Sequence, residues 1–256
     1  MSDQVLGIIP ARIASTRLPQ KPLHRIAGRP LLEWVWRRVR AIDLLDTLVI
    51  ATDSDEVASV ARDFGADVVL TSADHPSGTD RVAEVAFSAP FADHEIIVNV
   101  QGDEPLLSSL ALQGALDCVH GGGWDIGTCA TPLQDQAEWR DPSVVKVVTG
   151  ARGRALYFSR APIPHPREGE PRFGIEGPWL RHVGLYVYRR GALRSWVDLE
   201  PSRLERVELL EQLRPLEAGL GIGVAVVPEA EGGVDTLDDA RRVEARLIEW
   251  ERSGYV

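Results

Sequence analysis

The chain is organised around one stretch near its start, Ile8-Ile9-Pro10-Ala11-Arg12-Ile13-Ala14-Ser15-Thr16-Arg17-Leu18-Pro19-Gln20-Lys21-Pro22. The apolar run from Val5 to Ile9 predicts a buried strand that leads into this loop. Its three cations, Arg12, Arg17 and Lys21, suit a polyphosphate, because arginine forks onto two oxygens while lysine adds a compact charge. The three prolines stiffen the loop. A surface loop of solvated bases is the alternative that these residues leave open.

Strand and helix patterns alternate with short links after this loop. The predicted elements are a helix that starts at Pro30, a strand at 47–51, a helix at 56–64, a strand at 67–70, a helix at 82–87, a strand at 96–100, a helix that ends near 119 and a strand at 126–130. Such alternation predicts an α/β fold with a largely parallel central sheet covered by helices on both faces.

The second half of the chain is less regular. Strands are predicted at 144–148, 155–158 and 181–188, and the segment from 161 to 178 is rich in proline, glycine and charge. A second, smaller lobe would begin around this segment. An apolar stripe predicts one helix from Leu204 to Leu216, with Leu209 on its buried face.

Composition narrows the function classes. The chain has 256 residues, a formal net charge of -10 and an acidic isoelectric point. This charge argues against a nucleic-acid or anionic-membrane partner. No apolar run approaches the length of about 20 residues that a membrane-spanning helix needs, and no signal segment opens the chain, so we expect a cytoplasmic protein. The two cysteines, Cys118 and Cys129, are expected to be reduced thiols.

Two aspartates fall where a parallel sheet places its ligands. Asp103 follows a predicted strand, and ligands of open parallel sheets lie beyond the carboxyl ends of strands, so Asp103 should lie near the cationic loop. Asp235 lies in a second glycine-rich turn. A nucleoside triphosphate beside two carboxylates needs a divalent ion between them, and Mg²⁺ commonly uses one or two carboxylates with substrate phosphates. These groups predict a nucleotidyl-transfer site, although an aspartate in a turn is often only structural.

Two further turns could carry either function or structure. Ser77 and Gly78 could bring bare backbone close to a flat ligand, or Ser77 could simply cap the helix that follows. The turn at Asp235 and Thr236 could likewise cap the last helix.

A family resemblance rests on motifs that run from Ile8 to Thr236. The motifs are Ile9-Pro10-Ala11-Arg12, Ser15-Thr16-Arg17-Leu18-Pro19, Lys21-Pro22, Ser77-Gly78-Thr79-Asp80-Arg81, Asn99-Val100-Gln101-Gly102-Asp103-Glu104-Pro105, Tyr157-Phe158-Ser159-Arg160, Arg181-His182, Leu210-Glu211-Gln212-Leu213-Arg214 and Gly233-Val234-Asp235-Thr236. Together they resemble the 3-deoxy-manno-octulosonate (Kdo) cytidylyltransferase family. The resemblance implies a three-layer nucleotidyltransferase-like fold, with residues 1–256 as one domain and about 150–215 as a sugar-binding and dimerisation lobe.

The resemblance also implies roles for individual residues. Arg12, Arg17 and Lys21 would hold the triphosphate, with Lys21 and Arg17 also catalytic, and Ser77 and Gly78 would approach the cytosine. Asp103 and Asp235 would be catalytic and bind Mg²⁺. The sugar-acid pocket would be formed by Arg81, Gln101, Arg160, His182, Tyr186, Glu211 and Gln212.

The implied reaction joins CTP and Kdo to give CMP-Kdo and pyrophosphate for lipopolysaccharide biosynthesis. The implied assembly is a homodimer. Two alternatives stay open: the same reaction on an 8-amino Kdo analogue or a sialic acid, and a non-catalytic nucleotide-binding protein. A third alternative is a dinucleotide oxidoreductase. The last is disfavoured because the first strand lacks the glycine fingerprint of dinucleotide-binding folds.

Overall fold

A computed structural model describes residues 4–13, 18–174 and 177–253. The strands in these ranges are β1 (Gln4–Ala11), β2 (Arg25–Ile26), β3 (Arg29–Pro30), β4 (Thr47–Thr52), β5 (Asp67–Leu70), β6 (His94–Asn99), β7 (Ile126–Pro132), β8 (Lys146–Thr149), β9 (Ala155–Ser159), β10 (Leu180–Arg189) and β11 (Ile222–Val226). The α-helices are α1 (Leu31–Arg40), α2 (Asp55–Asp63), α3 (Gly78–Ala86), α4 (Ser109–His120), α5 (Gln136–Arg140), α6 (Arg190–Val197), α7 (Arg203–Glu208), α8 (Leu213–Glu217) and α9 (Leu237–Ser253).

The chain divides into two compact units, one formed by residues 1–109 and 231–256 and the other by residues 110–230. The predicted lobe at 150–215 lies within the second unit. Its role in sugar binding or dimerisation stays a prediction, as does the treatment of 1–256 as a single domain.

The first unit contains the predicted parallel sheet. Its strand order is β6-β1-β4-β5, and every neighbouring pair is parallel. Ile8 and Ile9 of β1 lie opposite Val49 and Ile50 of β4 and are fully buried. Because both faces of β1 are apolar, the strand reads as a continuous hydrophobic run, as expected when helices cover both faces. The parallel α/β prediction is therefore confirmed.

Serine side chains cap two helices of this unit; the sequence allows either Asp53 or Ser54 as the cap of the first, and Ser77 is the cap that it allows for the second. Ser54 accepts a hydrogen bond from the Val57 amide at 3.3 Å, and Ser77 accepts one from the Asp80 amide at 3.2 Å. Each bond satisfies a backbone donor that the first helical turn leaves unpaired. The helix that starts at Ser77 is longer than predicted, because α3 begins at Gly78 instead of at Val82.

The second unit contains a mixed sheet. Strand β7 pairs with β11 in parallel and with β10 in antiparallel fashion, while β8 pairs antiparallel with both β10 and β9. The short helix α5 was not predicted. Its signal is present in the sequence, since the Asp135 carboxylate accepts from the Glu138 amide at 2.8 Å and so caps the helix.

The predicted single helix from Leu204 to Leu216 is wrong. Helix α7 ends at Glu208, Leu209 adopts a left-handed conformation with φ of 53°, and α8 begins only at Leu213. Leu209 is also 76% exposed, so it does not belong to the buried stripe. The physical reason is tertiary: the Arg160 guanidinium donates to the Glu208 carbonyl at 2.8 Å and to the Leu209 carbonyl at 3.4 Å. These bonds satisfy carbonyls that a continuing helix would otherwise use.

Both cysteines are free thiols, as predicted. Cys129 is buried and donates to the Ala111 carbonyl at 2.8 Å. Among the described residues, none of the helices has the length and apolar character needed to cross a membrane.

Candidate active site

Lys21, Asp103 and Asp235 meet in the first unit. The Lys21 Nζ donates to Asp235 Oδ1 at 2.9 Å and makes a very short contact with Asp103 Oδ2. These three residues come from three separate segments of the chain, up to 214 positions apart. The prediction that Asp103 lies beside the cationic loop is confirmed, and Asp235 joins it.

The positions of these side chains follow from the loops that carry them. Lys21 opens a 3-10 turn, preceded by Gln20 in the left-handed region with φ of 49°. Gly102 lies so close to strand β1 that a Cβ there would be 2.8 Å from the Pro10 carbonyl oxygen. A side chain at position 102 would therefore push Asp103 away from the cationic loop.

The turn that carries Asp235 is fastened directly to Asp103. The Val234 amide donates to the Asp103 carbonyl at 2.8 Å. A Cβ at Gly233 would be 3.3 Å from the same carbonyl, closer than nearly all Cβ contacts. The far side of the turn is held by Asp239, whose carboxylate accepts from the Asp235 amide at 3.1 Å. The backbone bond between Val234 and Asp103 thus holds the two aspartate segments together independently of Lys21.

The group formed by Lys21, Asp103 and Asp235 carries more negative than positive charge. Burial alone would lower the pKa of the Lys21 ammonium, but the Asp103 charge and the hydrogen bonds to both aspartates outweigh burial and raise that pKa. Lys21 is therefore a cation at neutral pH. Two carboxylates and one ammonium have a formal charge of -1, so the group favours an additional cation.

The carboxylates of Asp103 and Asp235 fit magnesium if a nucleotide and water supply the other ligands. In the part of the chain that the structure describes, no three or more histidine, cysteine, aspartate or glutamate side chains gather as a complete metal cage. Two converging carboxylates are what Mg²⁺ uses when phosphates and water supply its remaining ligands. Asp103 and Asp235 could therefore hold Mg²⁺ together with a nucleotide.

The Ser77–Gly78 segment lies next to the end of β1. A Cβ at Gly78 would be 3.6 Å from Pro10 Cγ and 4.0 Å from Gln101 Oε1. Gln101 in turn donates to Asn99 Oδ1 at 3.3 Å. The structure thus brings together Gly78 and Gln101, for which the resemblance implies cytosine and sugar contacts respectively. Their contacts with substrate stay predictions.

The Arg81 side chain is more deeply buried than a side chain that contacts a ligand usually is. Its side chain is 3% exposed, and its guanidinium pairs with Asp53 Oδ2 at 2.9 Å. It also donates to Thr71 Oγ1 through a very short contact and to the Ser72 carbonyl at 3.3 Å. Arg81 therefore ties α3 to the loops after β4 and β5, and its predicted sugar contact stays untested.

The other two cations of the opening loop are Arg12 and Arg17. Arg12 is exposed on the surface at the end of β1. Arg17 lies outside the described residues, so its predicted catalytic and triphosphate-binding roles stay predictions.

His182 and Tyr186 meet in the second unit because of a β-bulge. Their ring centroids are 5.4 Å apart, whereas residues four apart in a regular strand lie about 13 Å apart. The pairing of β10 with β7 shifts between Val183 and Tyr186, so that Gly184 and Leu185 have no partners on β7. The bulge therefore draws two predicted sugar-binding side chains into contact.

These two side chains are buried and uncharged. Desolvation lowers the pKa of His182 to about 3, so its imidazole is neutral. Thr128 Oγ1 donates to the Leu185 carbonyl at 2.7 Å and lies 3.0 Å from His182 Nε2. This arrangement makes Nε2–H the donor to Thr128 and leaves Nδ1 as an acceptor. Burial, with the nearby Tyr188 and Glu211, raises the pKa of Tyr186, whose hydroxyl has no protein partner in the described chain.

Arg160 is held entirely by its neighbours in this unit. Besides the carbonyls of residues 208 and 209, it donates to the Pro142 carbonyl at 3.0 Å. The Glu208 carboxylate accepts from the Arg160 amide at 2.9 Å and from Ser159 Oγ at 2.6 Å. The Arg160 guanidinium is therefore committed to backbone oxygens here, and its predicted sugar contact stays a prediction.

Glu211 and Gln212 lie in the break between α7 and α8. Gln212 is 6% exposed, and Glu211 is close enough to Tyr186 to affect its pKa. The break therefore positions Glu211 near the bulged strand, although a sugar contact for either residue stays a prediction.

Sequence reasoning missed four side chains that hold these regions together, namely Asp53, Thr128, Lys146 and Glu208. Lys146 is fully buried, and its Nζ donates to the carbonyls of Asp141, Val144 and Arg160 at 2.8, 2.6 and 2.7 Å. A lysine inside the apolar run 144–148 was a usable signal for a buried cation, and Asp53 follows a parallel strand. Thr128 and Glu208 left no such signal.

The fold and this site define a nucleotidyltransferase, and residues 6–222 match the family described as Cytidylyltransferase. A relative from Gemmatimonas aurantiaca, named 3-deoxy-manno-octulosonate cytidylyltransferase, is 49% identical over 93% of this chain and 92% of its own. A relative of the same name from Syntrophotalea carbinolica is 47% identical over 95% of this chain and 98% of its own.

A solved structure gives the same result. It is described as CMP:2-keto-3-deoxy-manno-octonic acid synthetase complexed with CTP, and it matches with a TM-score of 0.88 and 36% identity over 96% of this chain and 99% of that one. The chain belongs to the 3-deoxy-manno-octulosonate cytidylyltransferase family. The family resemblance and the three-layer nucleotidyltransferase-like fold are therefore confirmed.

Proposed function

We propose that this cytidylyltransferase transfers the CMP moiety of CTP to the anomeric hydroxyl of Kdo, with Mg²⁺ held by Asp103 and Asp235, and releases pyrophosphate. The observation that carries this proposal is the convergence of Lys21 with both aspartates. The names of its relatives support CTP and Kdo as the substrates. The product would supply lipopolysaccharide biosynthesis.

The reaction is an in-line attack of the sugar hydroxyl on the α-phosphorus, with no covalent intermediate on the protein. Burial, together with Asp117, raises the pKa of Cys118 to about 11, so this thiol is not an activated nucleophile. Cys129 is buried and bonded to a carbonyl. Catalysis then rests on positioning and on electrostatic stabilisation.

The cations, the aspartates and the Ser77–Gly78 segment have separate roles in this reaction. Lys21 and Arg12 offset the charge of the triphosphate, with Arg17 assigned the same task by family resemblance. Asp103 and Asp235 would hold Mg²⁺, which would supply neutralisation of the phosphate charge and a lower pKa for the attacking hydroxyl. Ser77 and Gly78 approach the base, while Gly78 allows close contact because it lacks a side chain.

The sugar-binding side chains of the second unit recognise an uncharged face of the sugar acid. The neutral His182 offers an acceptor at Nδ1, and the Tyr186 hydroxyl offers a buried donor that needs a partner. A site that must hydrogen-bond a hydroxyl rejects analogues that lack it, because the buried groups are then left unpaired. Glu211 and Gln212 complete this set.

The decisive experiment is incubation of the full chain with Mg²⁺, CTP and a panel of sugar acids, followed by mass detection of the CMP-sugar. The panel contains Kdo, an 8-amino Kdo analogue and a sialic acid. CMP-Kdo as the dominant product supports the proposal, and preference for another acid reassigns the substrate. CTP binding with no CMP-sugar from any acid would instead favour the non-catalytic alternative.

A homodimer is proposed from the family resemblance, and exposed apolar side chains support it. Val207 and Leu209 are 81% and 76% exposed at the end of α7, and Leu156 on β9 is 53% exposed. A second copy of the chain would cover the exposed pair Val207 and Leu209 at the end of α7. Sedimentation of Val207→Glu should show a monomer if this pair lies in the interface, and an unchanged dimer would exclude it.

The proposed location is the cytoplasm, where CTP is made and where free thiols such as Cys118 and Cys129 persist.

A further inference from the structure

The Lys21 ammonium lies between the two aspartates that are proposed to hold a metal ion. Its Nζ is 2.9 Å from Asp235 Oδ1 and in very short contact with Asp103 Oδ2. The Lys21 side chain is 18% exposed, while those of Asp103 and Asp235 are 26% and 39% exposed. The carboxylates are thus partly open to solvent, and the ammonium offsets one of their two negative charges.

We propose that Lys21 is a resident counter-cation which has to leave Asp103 and Asp235 before a divalent ion can bind to both. The inference rests on the magnesium site proposed above. Two cations held by the same carboxylates would lie within a few ångströms of each other, and their repulsion would be strong in a partly buried site. Metal and ammonium therefore compete for one position.

The chain provides what this exchange requires. The backbone bond from the Val234 amide to the Asp103 carbonyl joins the segments that carry the two aspartates, and the Asp239 carboxylate accepts from the Asp235 amide, so the aspartates stay close when the ammonium leaves. Lysine carries its charge on a flexible four-carbon stem, so Nζ can swing away while the 3-10 turn stays in place. The triphosphate of CTP would then receive the released ammonium.

The exchange makes metal and nucleotide binding cooperative. Without nucleotide, the ion has to displace Lys21 with no compensation, so only the fraction of molecules with a displaced lysine can bind it. With CTP present, the phosphates stabilise the displaced lysine and the metal binds more tightly. By linkage, the metal raises the affinity for CTP by the same factor.

The competing interpretation is that Lys21 is a fixed ion-pair partner that keeps its position when the metal binds. The sequence allows a direct distinction, because Lys21 and Lys146 are its only lysines. Labelling the lysine ε-carbons with ¹³C gives one signal from each. Lys146 is fully buried on three carbonyls in the other unit, so its signal is an internal control.

The first experiment titrates the labelled chain with Mg²⁺ alone. The Lys21 signal should move and saturate while the Lys146 signal stays fixed. In Asp103→Asn, the Lys21 signal should start at a shifted position and respond little to Mg²⁺. If a metal binds while the Lys21 signal of the unsubstituted chain does not move, the displacement is excluded.

The second experiment measures Mn²⁺ binding by electron paramagnetic resonance, without nucleotide. Lys21→Met should tighten Mn²⁺ binding by about tenfold, because the competing cation is gone. Lys21→Arg, which keeps a cation at this position, should not tighten it. Equal or weaker binding in Lys21→Met would overturn the inference and leave the metal site intact.

A third outcome separates the two proposals. If Asp103→Asn and Asp235→Asn bind Mn²⁺ as well as the unsubstituted chain does, the ion lies elsewhere and the magnesium site itself fails, taking the lysine exchange with it.

Discussion

The two units of the chain hold their candidate site residues by different physics. In the first unit, charged side chains on loops after parallel strands meet as ion pairs, with Lys21 between Asp103 and Asp235. In the second unit, a bulged antiparallel strand brings together uncharged groups, His182 and Tyr186. The first arrangement suits a phosphate and a metal, whereas the second suits the hydroxyl groups of a sugar. Variants that remove a charge should therefore reduce turnover most when they fall in the first unit. The pH dependence of stability should instead report on the buried histidine of the second unit.

The largest effect is expected from Asp235→Asn. The amide keeps the shape but loses the charge, so the chain should stay folded while turnover falls by about a hundredfold or more. Steady-state pyrophosphate release measures this. Asp238→Asn is the matched control, because Asp238 lies three residues away and is 89% exposed. Undiminished turnover in Asp235→Asn would remove this carboxylate from the mechanism.

The next effect concerns the buried pair of Arg81 and Asp53. Asp53→Asn leaves the arginine charge buried without its partner, and breaking such a pair costs about 3 kcal/mol in the free energy of unfolding. Urea denaturation of Asp53→Asn, Arg81→Met and the double variant should show coupling between the two sites.

Kinetics of the same variants decide what Arg81 does. If Arg81 mainly positions the start of α3, Arg81→Met raises the KM for CTP. A rise confined to the KM for Kdo would instead support the sugar contact that the family resemblance implies.

A smaller effect is expected from the pH dependence of stability at His182. The unfolded chain binds a proton near pH 6.5, whereas the folded chain binds it only near pH 3. The stability from the neutral imidazole is therefore fully present above pH 6.5 and is lost as the pH falls towards 3. Calorimetry should show that His182→Gln loses less in melting temperature than the unsubstituted chain when the pH falls from about one unit above to about one unit below the ordinary histidine pKa.

His120→Gln serves as the control, since His120 is exposed at the end of α4. It should behave like the unsubstituted chain. The same acid-induced loss in all three proteins would show that His182 is not desolvated.

The smallest effect is expected at the two serine caps. Ser77→Ala and Ser54→Ala each remove one bond to a helix N-terminus, and each should cost about 1 kcal/mol of unfolding free energy. Only Ser77→Ala should also raise the KM for CTP, because α2 carries no proposed substrate contact. If both variants change the KM equally, the proposed base contact at Ser77 loses its support.

The same contrast explains what the sequence could and could not predict. Asp103 was placed beside the cationic loop because the carboxyl ends of parallel strands lie at one edge, and the structure confirms this. Helix starts at Ser54 and Ser77 were also predictable, since a cap is a local signal.

The sequence predicts the second unit less well, because the structure of this unit depends on contacts between residues that are distant in the chain. The helix predicted from Leu204 to Leu216 breaks because Arg160 takes the carbonyls at its centre, and no local pattern announces that bond. The bulge at Gly184 left only a weak signal, a glycine inside a strand. Here tertiary hydrogen bonds override the local propensity of the chain.

The proposed mechanism requires Asp103 and Asp235 to bind one metal ion together with CTP. Crystals of the full chain grown with CTP and Mn²⁺ test it directly through the anomalous difference map of manganese. One peak should lie within direct bonding distance, about 2 Å, of a carboxylate oxygen from each aspartate and of a phosphate oxygen. A manganese peak that touches CTP but neither aspartate would contradict the account.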